Sequence, residues 1–259
     1  MTLQLRQICL VARQLEPVIE DLTTILGINR CFVDPGVGAF GLENTLMPIG
    51  RNFLEVVAPI EENTAGGRYL DRRQGDGGYM VITQADTHQS QSIIRANALE
   101  NDVRIAHETI RDDWHLIQFH PGDLKAAFFE VETDSHNDFY GHWNPVGGLG
   151  WEDTVKQDVT VDYKAVELQG PDPVGLAELW GNVAGLPITR TGEILSMDLN
   201  NVQIRFVEEA DGRGPGLGGL DIEVADRDHI ISAAKRRGCT VDGDTVMICG
   251  VRWKLLDTQ

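Results

Sequence analysis

The chain lacks the features that mark several large classes of protein. Its four cysteines, Cys9, Cys31, Cys239 and Cys249, include no C-x-x-C pair. That spacing argues against a disulfide framework and against a thiolate zinc site. Cys9, inside an apolar run, reads as a small core residue. No apolar stretch approaches the length of a bilayer span, and the N-terminus has no charged start followed by an apolar run and a cleavage site. Basic residues are scarce: 22 Lys and Arg against 40 Asp and Glu give a formal net charge of −18. Such a chain is repelled by phosphate backbones. The short basic runs at 72–74 and 235–237 read as solvated helix or loop faces. No G-x-x-x-x-G-K-[ST] occurs, and no G-x-G-x-x-G joins a strand to a helix. The glycines of 210–219 suit a turn-rich crossover. These absences lead to the expectation of a soluble cytoplasmic protein that handles a small molecule, without nucleic acid or membrane as partner.

What is present is a repeat. LRQICLVARQLEPVIEDLTTILGI (5–28) reads as a strand, a turn and an amphipathic helix stopped by Gly27. VDYKAVELQGPDPVGLAELWGNVAGLPI (161–188) reads the same way, and weaker copies start at GGYMVITQADTHQS and GLGGLDIEVADRDH. Repetition at this scale sets the architecture before any single residue is read. In the first copy a strand over 3–12 and a helix over 15–26 precede three extended segments, FVDPGVGAFGL, ENTLMPIG and NFLEVVAP. The second copy runs through YMVITQA, a helix over 88–101 that offers Ile93, Ile94 and Leu99 for one face, VRIAHETI, WHLIQFH, a turn at 121–123 and KAAFFEVE. The third spans 158–208 and the fourth 216–256. Between them, 132–157 is rich in Gly, Asp, His and aromatics and has no period; it reads as a linker or as a loop folded over a pocket. The expectation is an α+β fold of four βαβββ modules in two paired lobes, each a curved, mostly antiparallel sheet forming a cup. The expected division is 1–134 for modules 1 and 2, 135–157 for the linker, and 158–259 for a degenerate second lobe.

Two carboxylates stand inside apolar strands, Glu55 in NFLEVVAP and Glu130 in KAAFFEVE, where an ionised group is costly unless paired or bound to a cation. The first strands offer Gln7 and Tyr79 at comparable positions. Together these residues could form an oxygen-rich shell for Ni²⁺, Mn²⁺, Zn²⁺ or Mg²⁺; alternatively, both glutamates satisfy hydrogen bonds on a strand edge.

On these residues the chain resembles the vicinal oxygen chelate superfamily, which includes glyoxalase I, bleomycin-resistance proteins and extradiol dioxygenases. FGLENTLMPIGRNFLEVVAP is similar to the Gly-x-x-Asn strand and Leu-Glu strand of its glyoxalase-like branch, and HWNPVGG to the His-Pro-Asn-Gly linker. The resemblance implies metal ligands at Gln7, Glu55 and Glu130, with Tyr79 where that family has His. It implies an electrophilic ion, with Glu130 as proton-moving base and Glu55 as the firmer ligand and partner in catalysis.

The second half carries no acid at the corresponding positions, Tyr163, Gly219, Arg205 or Ile204, and Lys254, so the two-His iron triad of the dioxygenases is absent. Arg205 and Lys254 read as surface residues. His115 and His120 lie on opposite faces of their strand, so at most one reaches the first cup. His142 could close over the pocket as a hydrogen-bond donor, and Asn44 could bond a ligand carbonyl or stabilise a turn. Tyr79, Asn44, His115 and His142 are the expected substrate contacts. The function expected is a metal-assisted lyase or isomerase acting on a small oxygenated molecule. The alternatives are a metal-free binding protein of the bleomycin-resistance kind and a scaffold that supports assembly, for instance as a homodimer.

Overall fold

The computed structural model describes residues 1–258. Four modules follow one another along them. Module 1 has β1 (Leu3–Val11), α1 (Leu15–Leu26), β2 (Leu42–Ile49) and β3 (Asn52–Pro59), followed by α2 (Ala65–Arg73). Module 2 has β4 (Gly77–Ala85), α3 (His88–Glu100), β5 (Ile105–Arg111), β6 (Trp114–Phe119), the single turn α4 (Pro121–Leu124) and β7 (Phe128–Thr133). Module 3 has β8 (Thr160–Gly170), α5 (Pro173–Ala184), β9 (Ile188–Thr191), β10 (Ile194–Asp198) and β11 (Gln203–Glu208). Module 4 has β12 (Gly216–Val224), α6 (Arg227–Arg236), β13 (Val241–Asp242), β14 (Thr245–Ile248) and β15 (Val251–Asp257). The α+β chain of four modules is the expected architecture; modules 2, 3 and 4 have the βαβββ order, and module 1 has βαββ.

Two local expectations are corrected. The first extended segment of module 1 is a 3-10 turn, Pro35–Phe40. Asp34 caps it by accepting from the Gly36 N–H, Pro35 presets the first φ, and Gly41 stops it in the left-handed region. Of that segment, Phe32 pairs with Leu46 of β2, and Leu42 opens β2 opposite Pro59. The expected apolar face of α3 is also narrower: Ile94 is buried, but Ile93 and Leu99 are exposed. The face is completed by Ser90, Gln91 and Ala98, and the Gln91 amide donates to the main-chain oxygens of His115 and Val131.

By the contacts among their residues the modules gather into two compact units. One unit takes Met1–Gln7, Tyr79–Phe139 and Ala165–Gly218, and so joins module 2 to module 3; the other takes Ile8–Gly78, Tyr140–Lys164 and Gly219–Gln259, and so joins module 1 to module 4. Helix packing explains the pairing. In the first unit, α3 packs on α5, the Asn97 amide donates to the Val183 oxygen, and Trp180 of α5 stacks on Phe129 of β7 with ring centroids 5.1 Å apart. Trp180 is fully buried and its indole N–H donates to the Leu124 oxygen, so its large apolar surface leaves water without orphaning the polar end. Each of the unit's two modules closes its first strand on its last in parallel, β4 on β7 and β8 on β11, with antiparallel strands beyond. The start of β1 is stitched on by Asn201, whose amide accepts from the Leu5 N–H and donates to the Leu5 oxygen.

In the second unit, α1 packs on α6, and Arg237 reaches Asp21 and Glu20 of α1. Gly27 ends α1 at φ 67°, and a Cβ there would stand 2.7 Å from Val159, so both backbone and space require glycine. The parallel pair is β12 with β15. The segment over 140–157 is folded onto this unit: Trp143 and Trp151 are buried, Trp143 bridges to Gly148, and Trp151 meets Phe53 edge-on at 4.8 Å. Arg73, in one of the two basic runs read as solvated, is buried.

Candidate functional site

Strand register decides which side chains of the first unit share a face. On β7, Glu130 lies opposite Gln118 of β6 and beside Ile82 of β4; Glu132 lies opposite Leu116 and beside Gln84. Residues two apart on a strand share a face, so Trp114, Leu116, Gln118, Ile82, Gln84, Glu130 and Glu132 stand together. The helices cover the other face. His88 of α3 stacks on His115 with centroids 4.1 Å apart, and Trp180 of α5 meets Phe129. The two glutamates therefore project from the helix-free face.

The chemistry of this face is that of buried acids. Glu130 and Glu132 are 3% and 1% exposed. Gln118 donates its amide to Glu130 Oε2 at 2.6 Å, and the Trp114 indole donates to Glu132 Oε2 at 2.6 Å. Burial, then the negative charge of Glu130, pushes the Glu132 carboxyl well above the usual range, against the Trp114 bond and the charge of Arg6. Glu132 thus holds its proton more tightly than an ordinary carboxyl. Its Oε1 has no other partner and is the oxygen from which that proton can reach Glu130. Arg6 of β1 is fully buried, and burial pushes it down to about 10 against the pull of Asp138, Glu132 and Asp134. Its Nη1 donates to Gln84 Oε1 at 2.5 Å and to the Asp138 main-chain oxygen at 2.7 Å. Gln4, also on β1, donates to the Phe139 oxygen. The stretch 134–139 is thereby strapped to β1. Its turn is built by Asp134 Oδ1, which accepts from the His136 and Asn137 N–H groups.

The residues expected from the sequence are distributed as follows. Gln7, Tyr79 and Glu130 belong to the first unit, and Asn44, Glu55 and His142 to the second. Gln7 is buried. The Tyr79 ring packs edge-on against Phe128 at 5.0 Å. His115 sits on the helix-covered face, away from Glu130, which corrects its place among the substrate contacts; His120 caps α4, its Nδ1 accepting from the Gly122 N–H. In the second unit Asn44 donates to Glu55 Oε1 at 2.6 Å and accepts from the Asp34 N–H, so it ties the 3-10 turn to the strand acid. The His142 ring lies against Gly148. Arg205, read as a surface residue, is ion-paired with Glu167 at 3.3 Å and less than one-fifth exposed; Lys254 is exposed.

A divalent ion needs hard anionic donors turned toward it. On the helix-free face of the first unit, amide and indole N–H groups already occupy carboxylate oxygens, a guanidinium lies beside them, and the imidazole of His107 on β5 is separated from Glu130 by the intervening Gln118. Among the described residues no three of His, Cys, Asp or Glu gather in positions that could hold a metal ion. The donor set of this face does not fit one.

Arg6, Gln84 and Glu132 were not singled out from the sequence. Glu132 was legible, since FFEVE places it two residues after Glu130 on the same face. Arg6 and Gln84 carried no such signal: each is a polar residue in an apolar strand, and only the fold brings them together.

No family model matches the chain, and no curated protein does. Several solved structures do. A hypothetical protein from Staphylococcus aureus is similar at a TM-score of 0.66 and 12% identity over all of both chains. A manganese(II)-bound glyoxalase from Novosphingobium aromaticivorans is similar at 0.66 and 12%, over 98% of this chain and 81% of that one. A triple-substituted 4-hydroxymandelate synthase from Streptomyces coelicolor is similar at 0.63 and 15%, over 92% of this chain and 75% of that one. At these identities the likeness is one of fold.

Proposed function

For a chain with the vicinal oxygen chelate fold and a buried acid pair on an uncovered sheet face, we propose a glyoxalase-like enzyme, of isomerase or lyase type, that moves a proton on a small oxygenated molecule. The Glu130–Glu132 pair carries this reading. Two adjacent carboxyls in an apolar sheet do not both ionise, so one holds a proton while the other remains a base. Gln118 holds the Glu130 carboxylate as the acceptor, and Trp114 fixes Glu132 as the acid. A positioned base of this kind is worth roughly 10²–10⁴ in rate. Glu130 would take a proton from a carbon next to a carbonyl and give it back to carbon, while Glu132 keeps its own proton and so leaves Glu130 as the base of the pair. No step is routed through a metal ion. The test is solvent-deuterium exchange into small carbonyl compounds, followed by proton NMR: Glu130→Gln should abolish it, and full exchange by that variant would end the reading.

The second reading is a metal-free protein that binds a small molecule. It expects a ligand-dependent rise in melting temperature with no turnover. Equilibrium dialysis against Ni²⁺, Mn²⁺, Zn²⁺ and Mg²⁺, with Glu55→Ala and Glu130→Ala alongside, tests the expected ligand set of Gln7, Glu55 and Glu130. Solution mass tests the homodimer.

A further inference from the structure

The geometry points to Arg6 and Gln84 as the donor pair that holds the carbonyl oxygen of a small neutral substrate, in the role that a metal ion plays as electrophile. This rests on the proton-transfer reading above. A guanidinium only donates, so the bond from Arg6 fixes the Gln84 amide with Oε1 toward Arg6 and Nε2 turned away. That Nε2 has no partner, on a side chain only 1% exposed. A buried donor left unpaired in a native fold calls for an acceptor. The neighbouring donor, Arg6 Nη1, is occupied by a main-chain carbonyl, that of Asp138 in the strap. The strap thus places on Arg6 the same chemical group that a substrate would bring. Ser135, His136, Asn137 and Asp138 are exposed, so the covering turn is a short surface segment held to β1 by the Gln4 and Arg6 bonds, the second of which a substrate carbonyl would replace. The ligand is neutral because a carboxylate there would stand beside the ionised member of the Glu130–Glu132 pair.

In the reaction, Glu130 takes the proton from the carbon beside the carbonyl. The electron pair of the broken C–H bond becomes the new C=C bond, and the carbonyl π pair moves onto oxygen. Arg6 and Gln84 N–H groups receive that charge. Collapse of the enolate returns a proton, or a solvent deuteron, from Glu130 to carbon, so no oxidant or reductant is consumed.

The probe is dihydroxyacetone in D₂O with the full chain and excess EDTA, read as deuterium at carbon by proton NMR. Exchange should persist in EDTA and fall at least about 100-fold in Gln84→Glu and in Arg6→Met, with partial retention in Arg6→Lys. Gln84→Glu keeps an acceptor for Arg6 but adds a carboxylate beside Glu132; Gln84→Met removes the free N–H without adding charge and should lose exchange equally, so the pair remains decisive even if Arg6→Met fails to fold. Exchange that EDTA abolishes and Mn²⁺ or Ni²⁺ restores would overturn the inference, as would full activity in Gln84→Glu. Exchange that needs Glu130 but is indifferent to Arg6 and Gln84 leaves the proton-transfer reading standing and removes this one. No exchange above buffer removes both.

Discussion

Modules 2 and 3 each set a polar pair across their parallel first and last strands, one step of two residues apart in register, and use it differently. In module 3 the parallel strands β8 and β11 set Glu167 directly beside Arg205, and the two form an ion pair at 3.3 Å. In module 2 the parallel strands β4 and β7 set Glu132 directly beside Gln84, which cannot neutralise it. The compensating charge, Arg6, comes from another strand and is itself strained by burial. An acid with its counter-ion in register is held in one state and contributes to structure. An acid beside a neutral amide keeps a displaced proton affinity, and displaced proton affinities are what acid–base chemistry uses.

The sharpest way to break this contrast is Glu130→Gln. It should lower carbonyl exchange by two orders of magnitude or more, a change of about 3 kcal/mol in barrier, whereas Glu167→Gln in module 3 should leave exchange within about twofold. Next is Gln84→Arg, which gives module 2 the pairing of module 3. The Glu132 carboxyl should then return to the ordinary range, as followed by carbon-13 titration of labelled glutamate side chains, and exchange should fall with it; a Glu132 that still titrates high would show that burial alone sets it.

A third test uses pH. The folded-state value for Glu132 is raised, so the folded chain binds this proton more tightly than the unfolded chain does. Its contribution to stability is therefore greatest below the unfolded carboxyl value and declines as pH rises from there toward the raised value. Glu132→Gln should flatten that slope, gaining relative to wild type between pH 4 and pH 8 in denaturant melts. The opposite sign belongs to Asp123, held at about 2 chiefly by Arg104; its contribution is present above the unfolded value and is lost as pH falls toward 2. The smallest effect is Arg205→Gln, about 1 kcal/mol or less for a partly exposed pair, seen as a small drop in the denaturant midpoint with exchange untouched.

Much of this was legible in the sequence, for a physical reason: helix and strand periods are local. The strand–helix starts at 5–28 and 161–188, the stop at Gly27 and the burial of Glu55 and Glu130 all follow from neighbours a few residues away. The 3-10 turn at Pro35–Phe40 was missed because Asp34, Pro35 and Gly41 act through turn chemistry that overrides an apolar run. His115 was misassigned because alternation says that two residues oppose each other, not which face the helices will cover. Arg6 escaped because its meaning depends on Gln84 and Asp138, far away along the chain.

The interleaving of the two units has a consequence in time. The unit that contains Ile8–Gly78 is completed by Gly219–Gln259, while the unit built on Tyr79–Phe139 is completed by Gly218. During synthesis the earliest module is therefore made first and finished last. Its apolar strands wait, without their partner helix α6, until Arg227–Arg236 have left the ribosome, and loop closure across that interval is slow. A nascent chain halted near residue 220 should resist protease over 79–139 and 165–218 while 8–78 is still cut, and that window is when this protein would most depend on a chaperone.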